Sequence, residues 1–378
     1  MSHKASIAIV NGIGDTVVSF RGALVRDLVA RGHAVTVSTP TPREVDPQTV
    51  ARAIEALGAR CVFSPLHRTG LNPLSERRAR AHYDELFREL RPDAVFVSNP
   101  KPIFHAIPAA RAAGVARRVA MVTGLGYAFT GSSFKARVIR AVATRLYRGA
   151  LSDATTVLFQ NPDDRDELAR RGALMRAPMP RIVAGSGVDV DAFAAMPQPE
   201  GPPTFLMVAR LLGDKGVREY AEAARSVRAQ RPSWRFRLVG WIDANPAAIR
   251  SAELNAWVRE GSVEFAGRLD DVRGELARAS VFVLPSYREG RPKSVLEALA
   301  SARPVITTDA IGCRETVRDG VEGLLVPPRD AQALARACLR LGDDAALRAA
   351  MGARARQRAV EQFDVRIVNA TIMETLGA

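Results

Sequence analysis

Short apolar runs rich in β-branched residues alternate with helix-length segments along almost the whole chain, and this alternation restricts the fold more than any other feature. Ser6 to Val10 is the first such run. Gly12 and Gly14 punctuate it, a helix is expected through Arg21 to Arg31, Gly32 ends that helix, and Ala34 to Ser38 reads as the next strand. Helices are expected over 46–57 and 75–90, and short strands over 94–98, 118–122 and 155–159. These strands are apolar on both faces. A strand buried on both sides belongs in a parallel sheet covered by helices, so the pattern implies an α/β architecture. The same rhythm restarts at Phe205, with strands expected over 236–239, 263–265, 281–284 and 304–307 and helices over 331–341 and 344–363.

A chain of 378 residues is too long for one comfortable core and points to two domains. Met196 to Pro203 holds four prolines and a glycine with little else, and it reads as the linker. The expected division is a first domain over 1–195, the linker over 196–203, a second domain over 204–360, and a C-terminal helix over 361–378 that packs back on the first domain. Ligands of such sheets gather at the carboxyl ends of the strands, which predicts two Rossmann-like domains whose parallel sheets face a central cleft. Cys61, Cys313 and Cys338 are scattered and lack metal-ligand spacing, as expected in a reduced, cytosolic compartment. The apolar run at the start is too short for a signal peptide, and no run is long enough to span a bilayer.

The formal net charge is +14, and its distribution says more than its sum. Between Ala94 and Ser152 there is no Asp or Glu, while Lys101, Arg111, Arg117, Arg118, Lys135, Arg137, Arg140, Arg145 and Arg148 fall inside the window. A field of one sign attracts phosphates, on nucleic acid or on anionic lipid. A nucleic-acid-binding module would interleave its basic residues with exposed aromatics for stacking. Aromatics are only 6% here and no nucleic-acid motif is present, so nucleic acid is not expected as a partner.

The strongest chemical signal is the run from Ser286 to Ala298, SYREGRPKSVLEA, which follows the apolar run Val281 to Leu284. Glu289 precedes Gly290 in a turn, where its carboxylate can project from the sheet edge. Glu297 lies eight residues on, along a helix starting near Lys293, where a carboxylate can accept two hydrogen bonds from a cis-diol such as ribose. The amides at that helix start suit a phosphate. An exposed acidic first turn is the bland alternative for Glu297 alone. The second signal is Val208 to Gly216, where a strand ends in Arg210 and Lys215 follows before Gly216. Two cations on one strand-to-helix turn suit a diphosphate, Arg as a bidentate donor and Lys as a point charge.

Together these motifs resemble the family 4 glycosyltransferases of the GT-B fold, over nearly the whole chain. Glu289 and Glu297 match that family's paired glutamates, and Arg210 and Lys215 match its diphosphate-binding pair. Phe265-Ala266-Gly267-Arg268-Leu269 is similar to the segment that lines the nucleotide base, and Val321 to Pro327 to the closing strand. The resemblance implies a retaining transfer from a nucleotide diphosphate sugar, with Glu289 at the donor sugar, Glu297 on ribose, and Gly290, Arg291 and Pro292 beside the donor. It implies no metal, because Arg210 and Lys215 neutralise the leaving group. Arg68 to Pro73 (including Asn72), Lys101-Pro102-Ile103, Thr123-Gly124-Leu125-Gly126-Tyr127 and Gly312-Cys313-Arg314-Glu315 resemble a branch that extends undecaprenyl-diphosphate-linked sugars. That likeness implies a UDP-linked N-acetylhexosamine or hexose as donor and a polyprenyl-diphosphate-linked saccharide as acceptor. Gly12, Cys313 and Arg314 would then approach the donor, and Asn72, Lys101, Thr123 and Gly124 the acceptor. Many members carry a histidine where this chain has Thr123, which cannot act as a base near neutral pH. His105 reads as a capping or surface histidine.

Within residues 131–148, Phe134, Val138, Val142 and Leu146 recur every four residues, with Lys135, Arg137, Arg140 and Arg145 among them. An apolar stripe with a basic flank suits an anionic membrane, here the inner face of the cytoplasmic membrane. A core-facing helix with a solvated basic face is the alternative. Two further rivals share the fold: a nucleotide-sugar 2-epimerase, which needs acid and base residues not found here, and a non-catalytic sugar-nucleotide sensor.

Overall fold

In the computed structural model, residues 4–67, 72–126, 129, 131, 133–242, 245 and 247–378 are described, Lys135 by its backbone alone. The first half builds β1 (Ser6–Val10), α1 (Val17–Ala30), β2 (Ala34–Pro40), α2 (Pro47–Glu55), β3 (Arg60–Ser64), α3 (Pro73–Leu90), β4 (Ala94–Ser98), α4 (Pro100–Ala112), β5 (Arg117–Val122), α5 (Phe134–Ser152), β6 (Thr156–Phe159), α6 (Pro162–Arg170) and β7 (Arg181–Ile182). Its strands form one seven-stranded sheet in the order β3-β2-β1-β4-β5-β6-β7, and every pair is parallel. The second half builds β8 (Thr204–Val208), α7 (Val217–Gln230), β9 (Arg235–Val239), α8 (Ser251–Arg259), β10 (Glu264–Phe265), α9 (Arg273–Arg278), β11 (Val281–Leu284), α10 (Lys293–Ala300), β12 (Val305–Thr308), β13 (Gly323–Val326), α11 (Ala331–Asp343) and α12 (Ala345–Arg358), and α13 (Val365–Leu376) ends the chain. The six strands β10-β9-β8-β11-β12-β13 are likewise all parallel.

Two units result, Met1–Ser186 with Arg366–Ala378, and Gly187–Val365. Residues 196–203 fall inside the second unit. Side chains of a strand alternate between faces, and the first sheet shows both faces filled. Ala8, Val10, Val95 and Val97 pack against Tyr83, Phe87, Ile103, Ile107 and Tyr147 of α3, α4 and α5. Ile7, Ile9, Val35, Val37 and Phe96 meet Leu24 and Leu28 of α1 and Ile54 of α2 on the other side. Helix α13 joins that second layer through Val368, Ile372, Met373 and Leu376. Asn369 Nδ2 donates to Asp27 Oδ2 at 2.7 Å, and Arg117 Nη1 donates to the carbonyl of Leu376 at 2.9 Å.

In both sheets the strand order reverses once, between β1 and β4 and between β8 and β11. Loops leaving the two strands at a reversal diverge to opposite faces and open a crevice at their carboxyl ends. The loops in question carry Gly12 and Asn99 in the first unit, and Arg210 to Lys215 and Ser286 to Pro292 in the second.

Candidate active site

The β8 and β11 loops of the second unit are stitched together. Tyr287 N donates to the carbonyl of Asp214 at 2.8 Å. Gly216 sits at φ +72°, and a Cβ there would lie 2.2 Å from the carbonyl oxygen of Pro285, so only glycine lets the two loops meet. This contact brings Lys215 Nζ to 2.5 Å from Glu289 Oε1, and Ser286 Oγ donates to the same oxygen at 2.8 Å. Each side chain of the Lys215–Glu289 pair is 14% exposed, so solvent screens the pair little while one side stays open. A third loop closes from β12. Glu289 N donates to the carbonyl of Ile311 at 2.9 Å, and Gly312, at φ +79°, would place a Cβ 2.1 Å from the carbonyl oxygen of Glu289.

Pro292 is buried and stands at the N-cap of α10. One turn into that helix, Glu297 lies 3.2 Å from Lys293 Nζ with 12% of its side chain exposed. Burial raises the Glu297 carboxyl above its ordinary range, and Lys293 only partly offsets it. Arg210 is half-buried just past β8. Arg268 is exposed and lays its guanidinium over the Trp241 ring at 4.7 Å, with Leu269 exposed next to it.

Three further motif residues are held by contacts of their own. Arg291 lays its guanidinium over the Phe363 ring at 5.4 Å, and burial lowers its pKa to about 10. Cys313 is fully buried with Sγ 3.8 Å from the carbonyl of Ser286, and burial pushes the thiol up to about 12. Arg314 pairs with Asp309 at 3.3 Å, and both are exposed.

In the first unit Asn99 is the organising residue, one the motifs did not single out. It holds φ +77°, an uncommon value for a non-glycine residue. Its Oδ1 accepts from Gly12 N at 3.0 Å, and its Nδ2 donates to Thr123 Oγ1 at 2.9 Å. The ends of β1, β4 and β5 are thereby tied through one side chain, with Gly124 following at the same edge. Glu76 was also missed. Its carboxylate takes Lys101 Nζ at 2.6 Å and His105 Nε2 at 2.7 Å. His105 is therefore neither a cap nor a surface histidine, but half of a clamp between α3 and α4. Asn72 caps α3, its Oδ1 accepting from Leu74 N at 3.0 Å. Arg68 to Leu71 and Tyr127 lie outside the described residues.

Helix α5 turns its apolar stripe outward. Phe134, Val138, Val142 and Leu146 are 74%, 48%, 45% and 42% exposed, whereas Ala136, Tyr147, Ala150 and Leu151 of the opposite face are buried. Arg137 covers the Phe134 ring at 5.6 Å, Arg145 is exposed, and Arg140 donates to the carbonyl of Gly131. The core-facing alternative for this stripe is excluded, because the core contacts come from the other face. Among the described residues no helix is long and apolar enough to cross a membrane, and no three His, Cys, Asp or Glu side chains converge as metal ligands.

Comparison with known proteins covers both units. Residues 17–184 match the glycosyl transferase 4-like domain, and residues 202–344 match glycosyl transferases group 1. The N,N'-diacetylbacillosaminyl-diphospho-undecaprenol alpha-1,3-N-acetylgalactosaminyltransferase of Campylobacter jejuni is 27% identical over 375 residues, 96% of each chain. A putative colanic acid biosynthesis glycosyltransferase of Escherichia coli is 30% identical over 270 residues, 64% of this chain and 65% of that one. Sucrose-phosphate synthase from Thermosynechococcus elongatus superposes with a TM-score of 0.78 at 19% identity, covering 98% of both chains. Anabaena HepE in complex with UDP-glucose gives 0.77 at 18% identity, covering 99% of both. With both halves matched in order and this architecture shared from end to end, the chain belongs to the glycosyltransferases of the GT-B fold, a 4-like domain followed by a group 1 domain.

Proposed function

We propose that this glycosyltransferase moves an N-acetylhexosamine or hexose from a UDP-sugar to a polyprenyl-diphosphate-linked saccharide, with retention at the anomeric carbon and without a metal. The observation that carries the reading is the Lys215–Glu289 pair at 2.5 Å, set where the β8 and β11 loops meet. As the sugar–phosphate bond breaks, charge builds on the departing diphosphate, and cations already in place stabilise it without reorganising. Lys215 and Arg210 take that part. Glu289 steers the lysine and faces the positive charge that develops on the sugar ring, Glu297 holds the ribose diol, and Arg268 and Leu269 flank the base. The C. jejuni relative, whose name specifies a diphospho-undecaprenol acceptor, supports a lipid-linked acceptor, and the UDP-glucose bound in Anabaena HepE supports the donor class. The acceptor falls to the first unit, with Lys101, Thr123 and Gly124, and peripheral attachment to an anionic membrane falls to the outward face of α5.

Purified protein is incubated with a polyprenyl-diphosphate saccharide, a panel of UDP- and GDP-sugars, and EDTA throughout, and the lipid is weighed by mass spectrometry. A gain of one sugar residue is expected with a UDP-sugar, and Glu289→Ala abolishes it. No gain with any donor, from folded protein that still binds UDP, would overturn the assignment.

A further inference from the structure

The clamp on α3 and α4 has more positive capacity than its carboxylate can neutralise. One carboxylate, Glu76, faces one permanent cation, Lys101, and one titratable group, His105, at 2.6 and 2.7 Å. Among the described residues Arg80 of α3 also acts on His105, and it is itself tied to Asp84 at 2.9 Å. The Lys101, His105 and Glu76 side chains are 16%, 14% and 25% exposed, so they are held by the protein yet within reach of a ligand. Lys101 and His105 stand on the first two turns of α4, directly after Asn99 and its links to Gly12 and Thr123, and Glu76 reaches them from the first turn of α3. Helix starts ordinarily hold anions through backbone amides. Here Pro100 and Pro102 remove two of the first three donors, so an anion at this edge must be held by side chains.

We propose that Lys101 and His105 form a seat for a diphosphate, that Glu76 positions both, and that His105 takes up a proton as the anion enters. This rests on the lipid-diphosphate acceptor proposed above. Lys101 supplies the point charge. In the empty site burial holds His105 below its usual pKa despite Glu76, and Glu76 stays ionised because the hydrogen bonds from Lys101 and His105 outweigh its own burial. A second anion tips the balance: the buffer acid gives up a proton, which ends on the imidazole and leaves a site with two cations for one carboxylate and one diphosphate. Lipid acceptor and nucleotide donor both carry a diphosphate, so the experiment must separate them.

The KM values for a short-chain polyprenyl-diphosphate saccharide and for the UDP-sugar are measured between about pH 5 and 8, where histidine titrates. In the wild type the acceptor KM rises several-fold with pH while the donor KM holds level. His105→Asn flattens the acceptor profile, Lys101→Met raises the acceptor KM about tenfold, the scale of one lost charged hydrogen bond, and Glu76→Gln moves the inflection to lower pH. If the donor KM follows these changes instead, the seat belongs to the nucleotide and the acceptor assignment is overturned. If neither profile responds to His105→Asn while transfer continues, the cluster only joins two helices and the proposal fails with the transferase reading intact. If the wild type transfers to no lipid acceptor, that reading falls first. Calorimetry with inorganic diphosphate in two buffers of different ionisation enthalpy then decides the seat: proton uptake that His105→Asn lacks supports it, and equal uptake by both overturns it.

Discussion

Glu297 sets two demands against each other at a single atom pair. Its carboxyl is held above the ordinary value of 4.5 by burial, with Lys293 pulling it back and Asp271 pushing it further up. The folded protein therefore keeps the proton to a higher pH than the unfolded chain does, and stability falls as pH rises from 4.5 through the folded-state value. A ribose diol needs the ionised form, which accepts from both hydroxyls. Donor affinity is expected to fall as pH drops through that same raised value. Glu297→Gln should flatten the pH dependence of the donor KM and raise it about tenfold, in line with the ~1.5 kcal/mol of a hydrogen bond to a charged group. Without ligand near neutral pH, the same variant should melt no lower than the wild type. A lower melting temperature would show that the carboxylate supports the fold rather than the ligand.

Helix α5 is where reading a segment as an element has a functional consequence. The four-residue recurrence of Phe134, Val138, Val142 and Leu146 was legible in the sequence, but two faces of an amphipathic helix look alike until the core is known. Here small and aromatic residues, Ala136, Tyr147 and Ala150, turned out to face the core. Reversing Arg137, Arg140 and Arg145 together to Glu is expected to weaken binding to anionic vesicles by at least a hundredfold at low salt, at ~1 kcal/mol per basic residue near the surface. Unchanged co-sedimentation with vesicles would end the membrane reading. Other elements escaped the pattern altogether. Strand β3 lies at the sheet edge with Arg60 exposed and Cys61, Val62 and Phe63 only half-buried, so it lacks the two-sided apolar run of its neighbours. Helix α4 contains Pro100, Pro102 and Pro108, which argue against a helix when read singly. Two of them sit in the first turn, where a missing N–H breaks no helical bond. The paired glutamates and the Arg210–Lys215 turn were visible because each motif is local. Asn99 and Glu76 were not, because Asn99 meets Gly12 across 87 positions and Glu76 meets Lys101 across 25.

Across the whole molecule the two units differ in how they are cut from the chain. The second is continuous, Gly187–Val365, whereas the first needs Arg366–Ala378 returned to it. Val368, Ile372, Met373 and Leu376 are buried in its core. At ~1.5 kcal/mol or more for each buried apolar side chain, their loss removes about 6 kcal/mol, as much as the whole stability of many domains. Residues 187–365 expressed alone are expected to fold cooperatively and bind UDP. Residues 1–186 alone are expected not to fold until a peptide spanning 365–378 is supplied, as followed by circular dichroism. Cooperative folding of 1–186 without the peptide would show that α13 is dispensable.

That returning helix also orders events during synthesis. The ribosome releases α13 only after every residue of the second unit has been made, so the first unit waits, incomplete, while the second matures. A translation aborted before Val365 leaves the first unit without the four apolar side chains that α13 buries in its core. The first unit's core is therefore closed by the last helix of the chain and not by the segment next to it in sequence.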